Sequence, residues 1–516
     1  MGFFSRPIER VAIIGSGAQG VAVANVFKKE NAFKQVKVFE KRPAAGGLWH
    51  YYKESQDYEL PSLDPSRPQE PLSLDDPSSA YDEITLASGN QGTDYFWTSA
   101  SYDLLETNVP THFMQYSEFP WKGDNLPLFP HRSEVLKYVQ RFAENVADIT
   151  EFGVNVYSVK KLADGQWELK SRAVNPITKG GVVPNAQFEK TELFDAVIVV
   201  AGPYDNPHVP EKKGLREWLK KYPGTVTHSK SFRRAEVFKD IGGELVIIGN
   251  GTSGIDISLQ AAQVLDRKVI KSVRSESYLP VSDDNNIRVV DDVVEFDADN
   301  KSLKLADGTV LENVAHVIFA TGYLRSFPFL SEYNKTLPQP LITDGQRVHG
   351  VYHHTLSTYS PGLAFVGLTR FILPNRTAEI QGLWLSRVFS NKVEIPSIEE
   401  QKEEEQYFEA QNGDGFKFHD LQFPEDLVFF ELLRNEAYSQ DKSVKYQLLA
   451  WDDYQLKLRA ALREVRVAFI KHRQRTNTAA TSIQQLIDEG DLEVAEVEQE
   501  IVDRIASSST AFRLAV

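Results

Sequence analysis

The fold of this chain is decided by the stretch Val11-Ala12-Ile13-Ile14-Gly15-Ser16-Gly17-Ala18-Gln19-Gly20, in which an apolar run leads into three spaced glycines. The run predicts a buried β-strand, and the residues after it can form a helix. Glycines at this spacing permit a tight strand-to-helix turn, a close approach of the backbone to a pyrophosphate, and close packing of strand and helix. The helix N-terminus then holds the phosphate charge.

An acidic residue follows this turn at the distance expected for a ribose contact. A second apolar run, Val36-Lys37-Val38-Phe39, ends at Glu40, about twenty residues after Gly20. A carboxylate there can bind ribose hydroxyls and disfavours a 2′-phosphate, so the first site suits FAD or NAD. Its predicted cofactor contacts are Gly15, Gly17, Ala18, Gly20 and Glu40.

The same pattern occurs again near the middle of the chain. Leu245-Val246-Ile247-Ile248 precedes Gly249-Asn250-Gly251-Thr252-Ser253-Gly254, and the next apolar run ends at Arg274. A cation at that position can form charge-assisted hydrogen bonds with the 2′-phosphate of NADPH. The alternative is that Arg274 and Lys271 are solvated surface charges. The predicted NADPH contacts are Gly249, Gly251, Thr252, Ser253, Gly254 and Arg274.

Composition restricts the class of protein. The 516 residues suffice for roughly two to four domains, and the content of 41% hydrophobic and 25% charged residues is typical of globular chains. A net charge of −15 argues against a nucleic-acid partner, because such binding needs a basic face. The absence of cysteine excludes disulfides, thiolate metal ligands and the cysteine pair of disulfide reductases. His112, His131 and His353-His354 have no partner at metal-ligand spacing, so we expect no metal.

The sequence favours a soluble, cytoplasmic protein without membrane attachment. No run approaches the ~18 apolar residues of a membrane span, and the first predicted strand begins too early to leave room for a signal peptide. The residues Phe512-Arg513-Leu514-Ala515-Val516 follow polar helices and do not form an apolar anchor.

The order of the elements predicts an α/β fold with two Rossmann-like dinucleotide-binding domains, the NADPH domain being inserted into the FAD domain. Candidate strands at 195–202 and 316–322 bracket the second glycine turn and are the predicted joints.

A long helix is predicted from Val444 to about Arg475, in a helical C-terminal extension that we interpret as a packing or homodimer element. The predicted boundaries are 1–208 and 326–400 for the two parts of the FAD domain, with a proline-rich excursion at 60–79, then 209–325 for the NADPH domain and 401–516 for the extension.

Between the two glycine turns, Tyr222-Pro223-Gly224-Thr225-Val226-Thr227-His228-Ser229-Lys230-Ser231-Phe232 resembles the identifying sequence of the flavin-containing monooxygenases. Further segments resemble other elements of that family, in the family's order, over about residues 8–400. They are Gly46-Gly47-Leu48-Trp49, Thr107-Asn108-Val109-Pro110, Tyr116-Ser117-Glu118-Phe119-Pro120, Ala320-Thr321-Gly322-Tyr323, Phe365-Val366-Gly367-Leu368 and Glu379-Ile380-Gln381-Gly382.

The resemblance implies an FAD monooxygenase that uses NADPH and O₂ and is similar to N,N-dimethylaniline monooxygenase. NADPH would reduce FAD, the reduced flavin would form a C4a-hydroperoxide with O₂, and an amine nitrogen or sulfide sulfur would attack its distal oxygen. The resemblance also implies that Asn108 is catalytic beside the flavin. It implies cofactor contacts at Gly47, Leu48, Trp49, Thr107, Asn108, Ser229, Thr321, Gly322 and Gln381.

Two other functions stay open. Baeyer–Villiger monooxygenases share the architecture, but their identifying sequence ends in Trp followed by Pro or Asp, where this chain has Phe232-Arg233; the difference favours oxygenation of a heteroatom over that of a ketone. A non-catalytic redox sensor could contain the same two domains, but it would not need Thr107-Asn108. The corresponding structural alternatives are that Asn108 is a turn amide and Gln381 a surface amide.

Overall fold

The computed structural model describes residues 4, 6–53, 55, 58, 60–61, 64–66, 72–73, 95–122, 125–173, 189–275 and 285–508. Most of the predicted proline-rich excursion at 60–79 therefore lies outside the described residues. Within it, the strand Leu72–Ser73 pairs in antiparallel fashion with Tyr95–Phe96.

A seven-stranded sheet is built around the first glycine turn. Its central strand, Arg10–Ile14, pairs in parallel with Gln35–Glu40 on one side and with Ala196–Val199 on the other. Residues 11–14 are buried, as expected for a parallel strand covered on both faces. The strand order is Val351–Tyr352, Leu356–Ser357, Leu363–Phe365, Ala196–Val199, Arg10–Ile14, Gln35–Glu40 and Thr150–Phe152, of which the last five are parallel.

Two helices pack against each other on one face of this sheet. Ala18–Glu30 follows the first glycine turn, and Pro374–Phe389 crosses it so closely that a Cβ at Gly382 would lie 3.2 Å from the Cα of Val23. The second helix is buried along almost its whole length, because Glu425–Ala437 covers its other side. The shorter elements around this unit are Thr111–Met114, Arg132–Ala143, Glu144–Ile149, Ser331–Asn334, and the antiparallel strands Val154–Lys161, Trp167–Ala173 and Glu189–Phe194.

A second, five-stranded parallel sheet carries the second glycine turn. Its order is Val226–His228, Val314–Phe319, Glu244–Ile248, Val269–Ser272 and Ile287–Val290. The helix Thr252–Leu265 packs on one face of this sheet. The helix Leu215–Lys221 and an antiparallel sheet pack on the other face, and the strands of that sheet are Val293–Asp297, Ser302–Leu305 and Val310–Leu311.

The chain enters and leaves this second unit through two paired segments. Asn206–Pro207 and Tyr323–Leu324 form a short antiparallel pair, and the strands before the first segment and after the second belong to the seven-stranded sheet. The predicted fold class, with one Rossmann-like unit inserted into another and a helical C-terminal region, is confirmed.

The C-terminal extension differs from the prediction at one point. The predicted helix from Val444 to Arg475 is wrong, because the structure has two helices, Asp453–Ala460 and Leu462–Thr476. The carboxylate of Glu30 accepts hydrogen bonds from the backbone N–H groups of Lys445 and Tyr446, both at 2.8 Å, so this segment is held outside a helix.

The other helices of the extension are Ile398–Asn412, Glu425–Ala437, Ile483–Asp488 and Gln499–Ala506. Glu425–Ala437 places Phe429, Phe430 and Leu433 in the core of the first unit, so the extension packs onto that core. Nowhere in the described ranges is a helix both long enough and apolar enough to cross a bilayer.

Candidate active site

The first glycine turn is shaped by contacts of the backbone with itself. Gly15 has φ +109°, and a Cβ there would lie 2.5 Å from the carbonyl oxygen of Val200. A Cβ at Gly20 would lie 2.1 Å from the carbonyl oxygen of Gly15. Both positions therefore need glycine for the packing of strand and helix.

Gly17 differs from these two glycines in an informative way. Its φ is −68°, and an added Cβ would meet only the Cα of Gly47, at 3.6 Å. The helix Ala18–Glu30 has no side-chain cap, so N–H groups of its first turn are available to an anion. The protein itself has room for a side chain at Gly17, and this open cradle fits the pyrophosphate of a dinucleotide.

The predicted Gly-Gly-x-Trp element lies directly on this turn. The N–H of Gly46 donates to the carbonyl oxygen of Ser16 at 3.0 Å. Gly47 has φ +54°, and its added Cβ would lie 2.8 Å from the Cα of Gly17. The 3-10 helix Gly47–Trp49 brings Leu48 to the same place, so the structure groups these predicted contacts together.

Glu40 is buried at the end of its strand and holds the same turn. One carboxylate oxygen accepts from the N–H of Ser16 at 2.7 Å, and the other accepts from the N–H of Arg42 at 2.8 Å. Each carboxylate oxygen can accept a second hydrogen bond, so Glu40 keeps the capacity to bind ribose hydroxyls. Its donor set therefore fits the adenosine ribose of FAD.

The segment with Thr107 and Asn108 contacts the second nucleotide-binding unit. The hydroxyl of Tyr102, a few residues earlier, donates to Asp256, which lies on the helix after the second glycine turn. Thr107 is buried, and its hydroxyl has no partner among the residues that the structure describes. Asn108 is exposed, so its amide is available to a bound molecule.

Gln381 is not a surface amide, and that alternative is wrong. Its side chain is fully buried on the helix Pro374–Phe389, where the amide N–H donates to the hydroxyl of Thr355 at 2.8 Å. Its amide oxygen has no hydrogen-bond partner within the described part of the chain. The start of this helix meets the first glycine turn, because the amide of Gln19 donates to the carbonyl oxygen of Pro374 at 3.4 Å.

The second glycine turn repeats the geometry of the first. An added Cβ at Gly249 would lie 2.3 Å from the carbonyl oxygen of Ala320, and one at Gly254 would lie 2.3 Å from that of Gly249. An added Cβ at Gly251 would meet no atom within 4 Å. Thr252 and Ser253 then open a helix that has no side-chain cap, so this turn is also an open cradle for a phosphate.

Arg274 lies beside this second turn, as predicted. It is exposed just after the strand Val269–Ser272, whose Ser272 accepts a hydrogen bond from the N–H of Gly249 at 3.0 Å. The amide of Asn250 donates to the carbonyl oxygen of Ser275 at 2.8 Å. Lys271 is instead buried in the strand, and burial lowers its pKa, so it is not the solvated charge of the alternative interpretation.

The two joints between the units contain the remaining predicted residues. The hydroxyl of Thr321 donates to the carbonyl oxygen of His208 at 2.5 Å. The backbone N–H of His208 in turn donates to the carbonyl oxygen of Gly322 at 2.9 Å. Ser229 is buried and contacts the hydroxyl of Tyr323. Burial lowers the pKa of the neighbouring His228 to about 3, which fits a structural position in the linker.

The sequence interpretation missed a buried cation in the identifying segment. The ammonium of Lys230 is fully buried and donates to the carbonyl oxygen of Asp205 at 2.7 Å, and Lys41 pairs with the Asp205 carboxylate at 2.6 Å. Burial, with the charges of Lys41 and Arg42, lowers the pKa of Lys230 to about 7. The three residues come from distant parts of the sequence, so no local spacing could indicate this network.

One cluster in the extension has the composition of a metal site. The ligand atoms of His472, Glu489 and Asp491 lie within 4.8 Å of one another. Arg475 donates to Glu489 at 2.8 Å and to Asp491 at 2.5 Å. A single guanidinium already pairs with both carboxylates, so we interpret the cluster as an ion-pair network.

Comparison with known proteins connects this geometry with a family. A family profile described as "Flavin-binding monooxygenase-like" matches residues 97–284 and 284–423. The flavin-containing monooxygenase FMO GS-OX4 of Arabidopsis thaliana is 30% identical over 405 residues, which is 76% of this chain and 76% of the relative. The thiol-specific monooxygenase of Saccharomyces cerevisiae is 27% identical over 466 residues, or 87% of this chain and 90% of the relative.

A solved structure shows the same fold over almost the whole length. S-allyl-L-cysteine S-oxygenase from Allium sativum superposes with a TM-score of 0.67 at 23% identity, covering 97% of this chain and 98% of that chain. The family uses FAD and NADPH, which fit the two glycine turns. The chain therefore belongs to the flavin-binding monooxygenase family and is a flavin-dependent monooxygenase.

Proposed function

We propose that this chain transfers one oxygen atom from O₂ to a soft nucleophile, an amine nitrogen or a sulfide sulfur, and uses NADPH as the reductant. NADPH supplies two electrons, one oxygen atom enters the product, and the other leaves as water. The observation that carries the proposal is the pair of open glycine cradles, one beside the buried Glu40 and one beside the exposed Arg274. Bound FAD supplies the electron transfer and oxygen activation.

The protein's own residues then bind and orient the two cofactors. The open positions at Gly17 and Gly251 accept the two pyrophosphates, while Glu40 binds the ribose of FAD and Arg274 the 2′-phosphate of NADPH. We assign the oxygen-transfer site to Asn108, because its amide is exposed on a segment that contacts the second unit through Tyr102. An amide can donate and accept hydrogen bonds at once.

The predicted domain boundaries are part of the proposal. The pairing of Asn206–Pro207 with Tyr323–Leu324 supports an inserted NADPH domain at 209–325 and an FAD domain in two parts, 1–208 and 326–400. The segment 401–516 is the extension. Since Glu425–Ala437 packs into the core of the first unit, we propose that the extension belongs to the same rigid body.

The choice between sulfur and nitrogen is tested with a substrate panel. The yeast relative's name specifies thiols, so the panel contains thiols and sulfides together with amines and ketones. Oxygen uptake by the purified, FAD-loaded protein is measured with NADPH, and the products are identified by mass spectrometry. We expect S- or N-oxides. Products formed from ketones alone would establish a Baeyer–Villiger enzyme instead, and NADPH binding without any oxygen uptake would establish a non-catalytic sensor.

A further inference from the structure

The C-terminal extension reaches the segment that contains Asn108. Its helix Leu462–Thr476 carries Arg466 and Arg473, which both face the carboxylate of Glu106, two residues before Asn108. The Nη1 group of Arg473 donates to one carboxylate oxygen at 2.8 Å. The Nη2 atom of Arg466 lies 3.8 Å from the other oxygen. Each carboxylate oxygen of Glu106 is therefore paired with a different arginine of the extension.

The two arginines are oriented by aromatic rings. The ring centre of Phe469 lies 5.5 Å from the guanidinium carbon of Arg466 and 5.5 Å from that of Arg473. The ring centre of Phe129 lies 4.5 Å from the guanidinium carbon of Arg466. A cation over the face of an aromatic ring is attracted to it, so these contacts restrict both side chains. The extension therefore presents two fixed cations to Glu106.

The same helix also packs on the other side of Asn108. Val109, the next residue, packs against a hydrophobic cluster that includes residues of this helix. They are Val465, Ala468 and Phe469. The N–H of Thr111 donates to the carbonyl oxygen of Leu128 at 2.9 Å, and the N–H of Leu128 donates to the carbonyl oxygen of Ala480 at 2.8 Å. Asn108 is thus an exposed residue between two points that the extension holds.

The segment around Asn108 is also tied to both nucleotide-binding units. The carbonyl oxygen of Leu104 accepts a hydrogen bond at 3.1 Å from the amide of Gln260, on the helix after the second glycine turn. The N–H of Thr107 donates at 3.0 Å to the carbonyl oxygen of Pro130 in the first unit. The two units and the extension therefore meet at this segment.

The exposure of the ion pair separates a positioning role from a purely structural one. The side chains of Glu106 and Arg473 are 32% and 39% exposed. Ion pairs as exposed as this contribute little to folding stability. The position of a reacting group matters more, because a displacement of about 1 Å can lower a rate about a hundredfold. Loss of the pair should therefore leave the fold intact and allow Asn108 to move.

We propose that Glu106 is a positioning residue, through which the extension holds Asn108 in place for oxygen transfer. The inference rests on the oxygen-transfer role proposed above for Asn108. Arg473 supplies a hydrogen-bonded charge, and Arg466 supplies a second charge at a longer distance. When this contact is lost, the amide of Asn108 is no longer held at one place. The two electrons of NADPH then reduce O₂ to hydrogen peroxide, and no oxygen atom enters the product.

A nitroxide label at position 108 tests the contact without turnover. The chain contains no cysteine, so Asn108→Cys provides a single attachment site. In the FAD-loaded protein, Glu106→Gln and Arg473→Gln are each expected to increase the mobility of the label, measured by electron paramagnetic resonance. Arg475→Gln is the matched control, because Arg475 lies on the same helix but pairs with carboxylates outside the segment. Unchanged mobility in both Glu106→Gln and Arg473→Gln would overturn the proposal.

The coupling of NADPH oxidation to product formation tests the consequence, with Asn108 in place. Glu106→Gln is expected to leave flavin reduction by NADPH within a few-fold of the parent and to lower the product formed per NADPH about tenfold. Arg473→Lys keeps the charge and is expected to restore most of the coupling that Arg473→Gln loses. The melting temperatures of these variants should change little. A lower melting temperature with normal coupling would overturn the proposal, because a purely structural role gives that result.

The two experiments separate failure of this inference from failure of the proposed function. Poor coupling in Asn108→Ala, together with normal coupling in both Glu106→Gln and Arg473→Gln, would overturn the inference alone. Normal coupling in Asn108→Ala would overturn the proposed role of Asn108 and with it the connection to oxygen transfer. The label would still show whether Glu106 holds this residue in place.

Discussion

Glu379 accepts two hydrogen bonds from Ser117, one from the backbone N–H at 2.8 Å and one from the hydroxyl at 2.6 Å. The hydroxyl of Tyr446 adds a third, at 2.5 Å. A carboxyl on the helix Pro374–Phe389 thus joins the segment after Asn108 to the C-terminal extension, and the side chains of Glu379 and Tyr446 are both fully buried. The extension is therefore tied to the first unit at a point close in sequence to the proposed catalytic residue.

This contact predicts a pH-dependent stability. Burial raises the pKa of the Glu379 carboxyl from 4.5 to about 7. A carboxyl with a raised pKa stabilises the fold while it is protonated, so its contribution is complete below pH 4.5 and is lost as the pH rises through 7. Glu379→Gln keeps a neutral side chain at every pH and can still bond both partners. Between pH 5 and 8 the free energy of unfolding is therefore expected to fall less in the variant than in the parent. The difference between the two falls is at most about 3 kcal/mol.

Melting temperatures measured across this range check the prediction. Glu399→Gln, an exposed glutamate at the start of another helix, is the control and should follow the parent. A Glu379→Gln variant with the same pH profile as the parent would show that this carboxyl is not the titrating group.

Gly17→Val is expected to abolish FAD retention while leaving the fold intact. An added Cβ at this position meets only Gly47, at an ordinary contact distance, so the side chain obstructs the cofactor and not the protein. Gly251→Val is the matched variant in the second turn. It should retain FAD and lose affinity for NADP⁺. Flavin absorbance after gel filtration and NADP⁺ titration measure the two effects, and full flavin content in Gly17→Val would contradict the assignment of the first turn.

Arg274→Ala is expected to raise KM for NADPH about ten- to a hundredfold and to change KM for NADH little, because only NADPH carries the 2′-phosphate. Lys268→Ala, an exposed lysine before the other end of the same strand, is the control. Equal losses with both nucleotides would show that Arg274 does not contact that phosphate. Arg267 is not expected to bind the 2′-phosphate in place of Arg274, because its guanidinium already donates to the carbonyl oxygens of Phe238 and Gly243.

The glycine turns could be predicted from sequence because their requirements are local. An added Cβ at Gly20 would lie 2.1 Å from the carbonyl oxygen of Gly15, five residues earlier, so the spacing of these two glycines encodes the contact. The helix expected from Val444 failed for the opposite reason. Glu30, more than four hundred residues earlier, captures the N–H groups of Lys445 and Tyr446, and no local pattern records that competition.

The same distinction separates the site residues. The positions of Glu40 and Arg274 beside the two turns could be predicted, because Glu40 ends the strand after the first turn and Arg274 lies two residues beyond the strand after the second. The burial of Gln381 depends on which helices cover it, and the contact of Lys230 with Asp205 depends on how the two units meet. Tertiary packing decides the burial of Gln381 and the contact of Lys230. A sequence motif could therefore contain these residues without predicting what surrounds them.

The last prediction separates NADPH oxidation from oxygen transfer. If Asn108 acts at the oxygen-transfer site, Asn108→Ala should leave anaerobic flavin reduction by NADPH within a few-fold of the parent. Product formation should fall about 10²–10³-fold, the usual cost of losing one preorganised donor. NADPH would still be consumed, and its electrons would appear in hydrogen peroxide, because oxygen that is not transferred to substrate leaves after two-electron reduction. Stopped-flow absorbance measures the flavin reduction, and peroxide and product assays measure how the electrons divide between hydrogen peroxide and product.

The control is Asn145→Ala, which changes an exposed asparagine away from the segment of Asn108 and should behave like the parent. Normal coupling in Asn108→Ala would leave Asn108 as a turn amide, and the oxygen-transfer site would then have to be sought among the buried groups with unsatisfied atoms, Thr107 and Gln381.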